Sequence, residues 1–491
     1  MKSYVQYEDF GAVGDGVTDD MAAIREAHQY ANARRLPVRS RPNAEYYIGA
    51  KAITAIIETD TDWSTSRFVV DDRTVENCKT PCFEVRSALQ PFSLPIQQLN
   101  RDQKKLDFYP ERECYVKVTD ANRKKFIRFG LNQNKGTDQT DCFILGKDGR
   151  IASPIDWNYE QITEAVAWPI DETLLTVQGG IFTTIANQAQ FGIEYYGRGI
   201  LISRSNTIID GMTHYVVGEG KLGSPYRGFL NALNCANVTF QNCFLTGHKI
   251  YWKIGNANLP VAMGSYDMHA NSVVNLALRN CRMNHITDKT RWGVIATNFC
   301  KNISVEHCKL SRLDAHMGVS GSFQVRNSEL GWQGINAIGR GTLTLRQVTF
   351  YGGRILALRE DYGSTWEGNV TVADCKWVIS DDGQEASYLI RMQNNGMHEY
   401  GYPCTMPETI EITNVSIDDS ALPDRHEIFI FEDPSANDDS MLLPEYHERP
   451  YPYIICKKVT CSHLTISSRK GVRISKNDTL FRHAHIEFSD C

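Results

Sequence analysis

From about residue 235 the chain alternates apolar and polar residues in short bursts, each ending at a polar residue followed by a small one. The bursts read Asn237-Val-Thr-Phe-Gln-Asn-Cys243, Asn275-Leu-Ala-Leu-Arg-Asn-Cys281 and Asn302-Ile-Ser-Val-Glu-His-Cys308. Ser322-Phe-Gln-Val-Arg-Asn-Ser328, Thr342-Leu-Thr-Leu-Arg-Gln-Val348, Asn369-Val-Thr-Val-Ala-Asp-Cys375 and Thr409-Ile-Glu-Ile-Thr-Asn-Val415 follow, and the last residues, His485-Ile-Glu-Phe-Ser-Asp-Cys491, repeat the pattern. Period two is the mark of a strand with one buried face, and a polar residue at its end marks a turn. The turn residues stand at 242, 280, 307, 327, 347, 374 and 414, in steps of 38, 27, 20, 20, 27 and 40. A minimum near twenty with longer excursions predicts one coil of a parallel β-helix per unit, the surplus lying in loops. Stacked coils then align the Asn/Asp/His turn residues into a hydrogen-bonding ladder and the Cys/Ser/Val residues after them into an inward stack.

Residues 8–24 break with this rhythm. Gly11, Gly14 and Gly16 allow a tight winding approach. Thr18, Asp19 and Asp20 predict an N-cap and an acidic first turn. Ala23, Ile24, Ala27, Tyr30 and Ala31 then recur at helical spacing, a short helix able to cover the open edge of a strand stack. Between 55 and 170 the rhythm is lost again. Alternating stretches such as Cys114-Tyr-Val-Lys-Val and Lys125-Phe-Ile-Arg-Phe, with a turn at Gly146-Lys-Asp-Gly149, predict an antiparallel β-rich insertion. The expectation is an all-β chain: residues 1–54 a capping helix and first coil, 55–170 the insertion, 171–491 the coils.

The segment from Asp9 to Gly16, with Asp19, Asp20, Ala23 and Ile24, closely resembles the N-terminal signature of the pectate-lyase-like superfamily, D-F-G-A-x-G-D-G-x-x-D-D-x-x-A-I. The strand Tyr46-Tyr47-Ile48 after Pro42 is similar to the segment that usually follows, without its glycine. The resemblance implies a right-handed parallel β-helix. It does not fix the chemistry, since lyases, hydrolases, epimerases and phage tail proteins share it, and the signature acids read as structural.

Composition narrows the partners. With 42% apolar and 22% charged residues the chain has material for a large core. The balance of 52 Lys+Arg against 58 Asp+Glu, without a basic block, argues against nucleic acid. No apolar run is long enough to span a membrane as a helix. The 14 cysteines lack the spacing of a disulfide framework, and several recur at one position of the repeat. They read as reduced, buried thiols, which predicts a cytoplasmic location unless a signal was removed upstream. No metal, phosphate-loop or nucleophile-elbow motif is present, so no cofactor is expected.

Counting back from the turns places Asp267-Met-His269 and Asp314-Ala-His316 at the same strand position, with Ala296 on the coil between them. Residues i and i+2 share a face, so Asp267, His269, Asp314 and His316 are the candidate catalytic residues. Two coils would set the aspartates roughly 9.6 Å apart, near the separation an inverting glycosidase uses for its acid and base. Alternatively either histidine shuttles the proton, with its aspartate orienting the ring. Arg291, Trp292, Trp332, Asn336, Arg359, Asp361 and Tyr362 cluster nearby in sequence and are the candidate substrate contacts, through ring stacking and charged hydrogen bonds. The expected activity is cofactor-free hydrolysis of an oligo- or polysaccharide. A polysaccharide lyase is the alternative, with His or Tyr as base and Arg359 neutralising a uronate. A phage tailspike or glycan-binding protein is a third; a homo-oligomer is compatible with these readings, a trimer if the chain is tailspike-like.

Overall fold

The structure, a computed structural model, describes residues 3–128, 133–190, 194–255, 258–359, 362, 365–381, 383–392, 404–432, 453–454, 456–468, 471–476 and 484–489. Its main body is one continuous system of strands, and every pairing within that system is parallel. The repeat units are its coils. Leu276 stands in register with Ile303, Phe323, Leu343, Val370 and Ile410 on successive strands. All six are at most 2% exposed, so the alternate apolar positions form one inward column along the helix axis.

The turn residues are corners in a left-handed backbone conformation. Asn242, Asn280, His307, Asn327, Gln347, Asp374 and Asn414 have φ between 48° and 57°, a region that asparagine and aspartate tolerate better than other side chains. Their amides stack into the expected ladder: Asn280 Nδ2 donates to Asn242 Oδ1 at 2.8 Å, and Asn242 Nδ2 to Asp210 Oδ1 at 2.8 Å. A second ladder joins Asn302, Asn275, Asn237 and Asn206 at 2.8–3.0 Å. The cysteines after the corners, Cys243, Cys281, Cys308 and Cys375, are buried free thiols. Cys491 lies outside the described residues.

The helix Met21–Arg34 closes one end of the stack. Its Asn32 side chain donates to Ile56 O (2.8 Å) and accepts from the Glu58 amide (3.1 Å), which covers an otherwise open strand edge. Met21, Ile24, Ala27, His28 and Ala31 are its buried face, and Tyr30 is exposed. Asp20 is the N-cap by position, yet its carboxylate turns backwards and accepts from the Val13 and Gly14 amides at 2.7 and 3.1 Å. The signature acid therefore pins the glycine loop rather than the helix.

The antiparallel insertion is shorter than the lost rhythm implied. Strands Ala55–Ile57, Thr61–Asp71 and Phe83–Val85 already pair in parallel with coil strands. Long excursions hide these coils from a repeat count. The inserted sheet has the order Phe92–Ser93, Glu164–Pro169, Cys114–Lys125, Thr137–Leu145. It has its own core around Val116, Val118, Phe143, Ile155 and Tyr159. The strand Cys114–Lys125 ends there and the chain turns at Phe126 (φ 55°), so the alternation read from Lys125 does not continue as a strand over 126–128; Phe129 lies outside the described residues. The insertion sits on the coils through Tyr115, which donates to Ser272 O at 2.6 Å, and through Lys301, buried 2.5 Å from Asp141 and 3.3 Å from Asp156.

Candidate functional site

Beside the insertion, one outward column of the coils reads Asn231, His269, Ala296, Asp314, Asn336, Ala357, Arg391. The residues preceding each of the middle members, Met268, Ile295, Leu313, Ile335 and Leu356, point into the core. Asp314 is thus level with His269, not with Asp267. The coil that carries Asp314 is longer by two residues. One lies in the corner 315–318, and the other is a bulge at Gly321 (φ 76°), where two residues oppose Asn302. Counting back from the turn therefore slips by two.

Asp267 is itself at a bulge, between the pairs Tyr266–Val294 and Met268–Ile295. Its side chain is fully buried, with Oδ1 3.6 Å from both His214 Nδ1 and His248 Nε2. At that separation these are close polar contacts rather than hydrogen bonds. His248 Nδ1 lies 2.9 Å from Glu219, which also accepts from Tyr251 (3.0 Å) and Arg291 (2.9 Å). Arg291 thus belongs to this buried cluster. The expected pairing of two aspartates across one groove is not formed, because a bulge turned one of them inward.

Asp314 lines a cleft of about 660 Å³ with His316, Asn336, Arg359, Tyr362 and Trp292. Five candidates are thus brought together around it. The cleft also gathers Arg128, Arg312, Arg354, Arg391, Gln333 and Tyr266. Arg359 Nη1 lies 3.0 Å from Asp314 Oδ1 and 2.7 Å from His316 Nδ1. Arg312 bonds both Asp314 and Gln333, and its guanidinium stacks 4.1 Å over the Trp292 ring. Burial by itself would raise the Asp314 pKa, but the Arg312 and Arg359 guanidiniums outweigh it and hold the carboxyl well below its ordinary value. Asp314 is a fixed anion.

Arg354 Nη2 donates to Asn336 Oδ1 at 3.3 Å, and Arg128 and Arg359 lie 5.4 and 5.2 Å over the Tyr362 ring. His269 is half-buried and paired with Asn231 at 2.8 Å; burial pushes its pKa down to about 3, so it is neutral. Trp332 donates to Arg291 O at 3.2 Å and lines a neighbouring depression with Gln333, Arg354 and Arg391. Asp361 lies outside the described residues.

Of the five cleft arginines the sequence pattern singled out Arg359 alone. Arg312 was accessible to it, being two residues before Asp314 and so on the same face. Arg128 was not, because it reaches the cleft from the insertion. Arg354 and Arg391 needed the coil register. The cleft is cationic: among the described residues that line it, Asp314 is the only carboxylate against five guanidiniums.

No protein-family model matches the chain. A capsule KL64-specific depolymerase of Klebsiella phage P510 is 29% identical over 134 residues, covering 25% of this chain and 13% of that protein. The similarity therefore spans a small part of the relative's length. Among solved structures, the tailspike gp49 of Pseudomonas phage LKA1 superposes with a TM-score of 0.57 at 14% identity, over 98% of this chain and 84% of the other. The tailspike gp61 of Pseudomonas phage phi297 gives 0.52 at 10% identity, over 99% and 84%. With the lead-in loop anchored by Asp20 and the coils stacked in parallel behind it, the chain has the right-handed parallel β-helix fold that these tailspikes share.

Proposed function

We propose that the protein is a depolymerase of an acidic polysaccharide, binding it in the arginine-rich cleft and cleaving it by β-elimination. The observation that carries this reading is the excess of five guanidiniums over the one carboxylate, Asp314, among the described residues lining the cleft. Asp314 has Arg312 and Arg359 on it and Arg391 is paired with Glu432, so among the described residues five guanidiniums stand against two carboxylates and the field in the cleft is net positive. Such a field favours a polyanion and neutralises a uronate carboxylate, the step that acidifies the neighbouring C–H.

His316 is the base in this reading. A guanidinium only donates, so the 2.7 Å contact from Arg359 makes Nδ1 the acceptor and leaves the proton on Nε2. A substrate carboxylate that draws Arg359 towards itself uncovers the Nδ1 lone pair, which then takes the proton. Asp314 stabilises the imidazolium that results, while the C–H electron pair forms the carbon–carbon double bond, the glycosidic C–O bond breaks and the leaving oxygen takes a proton from water. Hydrolysis by two carboxyl groups is less well supported: a partner about 6.5–9.5 Å from Asp314 is required, and Asp267 is buried on the opposite side of the strand. The similarity to a phage capsule depolymerase supports a bacterial surface glycan as substrate.

The test is digestion of a panel of acidic and neutral bacterial polysaccharides, with products analysed by mass spectrometry and ultraviolet absorbance. An unsaturated uronate at the new non-reducing end is expected. Saturated products bearing a gained water would establish hydrolysis instead, and cleavage confined to neutral glycans would overturn the proposal.

A further inference from the structure

A second cavity, of about 240 Å³, lies where the insertion meets the coils. Its apolar walls are Phe126 and Trp157 from the insertion and Phe299, Met317, Ile338 and Met406 from the coils. Ile338, Met406 and Phe126 are at most 5% exposed, while Trp157, Phe299 and Met317 are half-buried at its mouth.

Its charges are spoken for. Each carboxylate that lines it has a cation on it: Asp141 has Lys301 (2.5 Å), Asp156 has Arg340 (3.4 Å), Glu408 has Lys457 (3.7 Å), and Glu367 is bonded to Arg101. What the cavity offers a ligand is therefore apolar surface, with the Thr405 hydroxyl able to donate or accept and the Thr140 hydroxyl, whose proton goes to Asp138 O at 3.1 Å, able to accept.

The cavity is the cleft's neighbour. His316 and Gly318, flanking Met317, line the cleft and the cavity respectively, and Met317 lines both. On the insertion Phe126 lines the cavity and Arg128 the cleft, and the Phe126 ring meets Tyr362 edge-on at 6.1 Å. Met317 is thus the partition between them, and a sugar residue next to one held in the cleft lies within reach of the cavity.

We infer that this cavity is a specificity subsite for a short acyl group carried by the sugar residue adjoining the one in the arginine cleft. The inference rests on the proposed depolymerase reading. An acyl group matches the cavity because it is apolar at its tip, small, and carries one carbonyl for a hydroxyl donor. The insertion then has a role: it supplies one wall of the subsite and so selects which acidic glycan is cut.

The experiment uses the full chain and the polysaccharide it cleaves, in four forms. These are native, O-deacylated by mild alkali, N-deacylated by hydrazine, and both. Removal of the recognised acyl group is expected to weaken binding about tenfold, the cost of leaving a methyl and its carbonyl carbon without apolar burial. Thr140→Phe, which places a ring in the cavity from a half-buried position, should bind native and deacylated glycan equally, at the weaker level. A substrate without acyl groups, or equal affinity of the wild-type chain for all four forms, overturns the subsite while leaving the depolymerase intact. Failure to cleave any acidic polysaccharide would fell the depolymerase reading and the subsite with it.

Discussion

Arg359 reaches Asp314 Oδ1 at 3.0 Å and His316 Nδ1 at 2.7 Å with the same Nη1 nitrogen, so one guanidinium fixes both the anion and the imidazole of the cleft. Asp314 is 1% exposed and Arg359 12% by side chain, so solvent does little to weaken this arrangement. Its consequences are specific to geometry, not only to charge.

Arg359→Lys should lower cleavage by roughly 10²-fold or more, because an ammonium is a point charge that cannot serve both neighbours in one plane. Binding of the acidic glycan should weaken less than cleavage does. Steady-state kinetics with a titrated substrate separates the two. A variant with unchanged kcat would remove Arg359 from the chemistry.

His316→Gln should keep binding within a few-fold and reduce cleavage by about 10²–10⁴, the contribution of a positioned base. A variant that cleaves at the wild-type rate would assign the base elsewhere.

His248 gives a pH prediction for stability. Burial would lower its pKa, yet the carboxylates of Asp267 and Glu219 outweigh burial and hold it above the ordinary 6.5. A folded-state pKa above the unfolded one stabilises fully below 6.5 and is lost as pH rises through the raised value. His214 acts in the opposite sense, since burial lowers its pKa, so the comparison needs a variant rather than the wild-type curve. The stability advantage of the wild-type chain over His248→Gln should shrink as pH rises above neutrality. Denaturant unfolding of both proteins across that range measures it, and an advantage that grows with pH would refute the assignment.

Asn280 reports on the corners. It combines φ 51° with the bond to Asn242. Asn280→Gly removes the bond while leaving a residue at ease in the left-handed region, and should cost about 1 kcal/mol. Asn280→Ala adds the left-handed penalty of a Cβ, roughly another 1 kcal/mol. Unfolding midpoints should fall in that order, and an alanine variant as stable as the glycine one would argue against conformational strain at the ladder.

The coil architecture was legible in the sequence because its determinants are local. A period of two sorts Leu276, Ile303 and Phe323 inward wherever the strand lies, and a left-handed corner accepts few residues besides the asparagine-like ones found there. The signature at Asp9–Ile24 is local in the same sense, even though Asp20 serves the glycine loop instead of the helix. The site was legible only in part: Asp314, His316, Asn336, Arg359, Tyr362 and Trp292 do meet, whereas Asp267 and Arg291 lie in a buried ion cluster. Register between coils is set by every residue in the corners, so one extra residue in the corner 315–318 and one at Gly321 moved Asp314 level with His269. A bulge at Asp267 then reversed the direction of a side chain that alternation pointed outward. The insertion contributes Arg128, Phe126 and Trp157 from 200 residues away in places, and nothing in its own pattern says where it lands. Which residues alternate is a property of the chain; which ones share a cleft depends on how its coils stack.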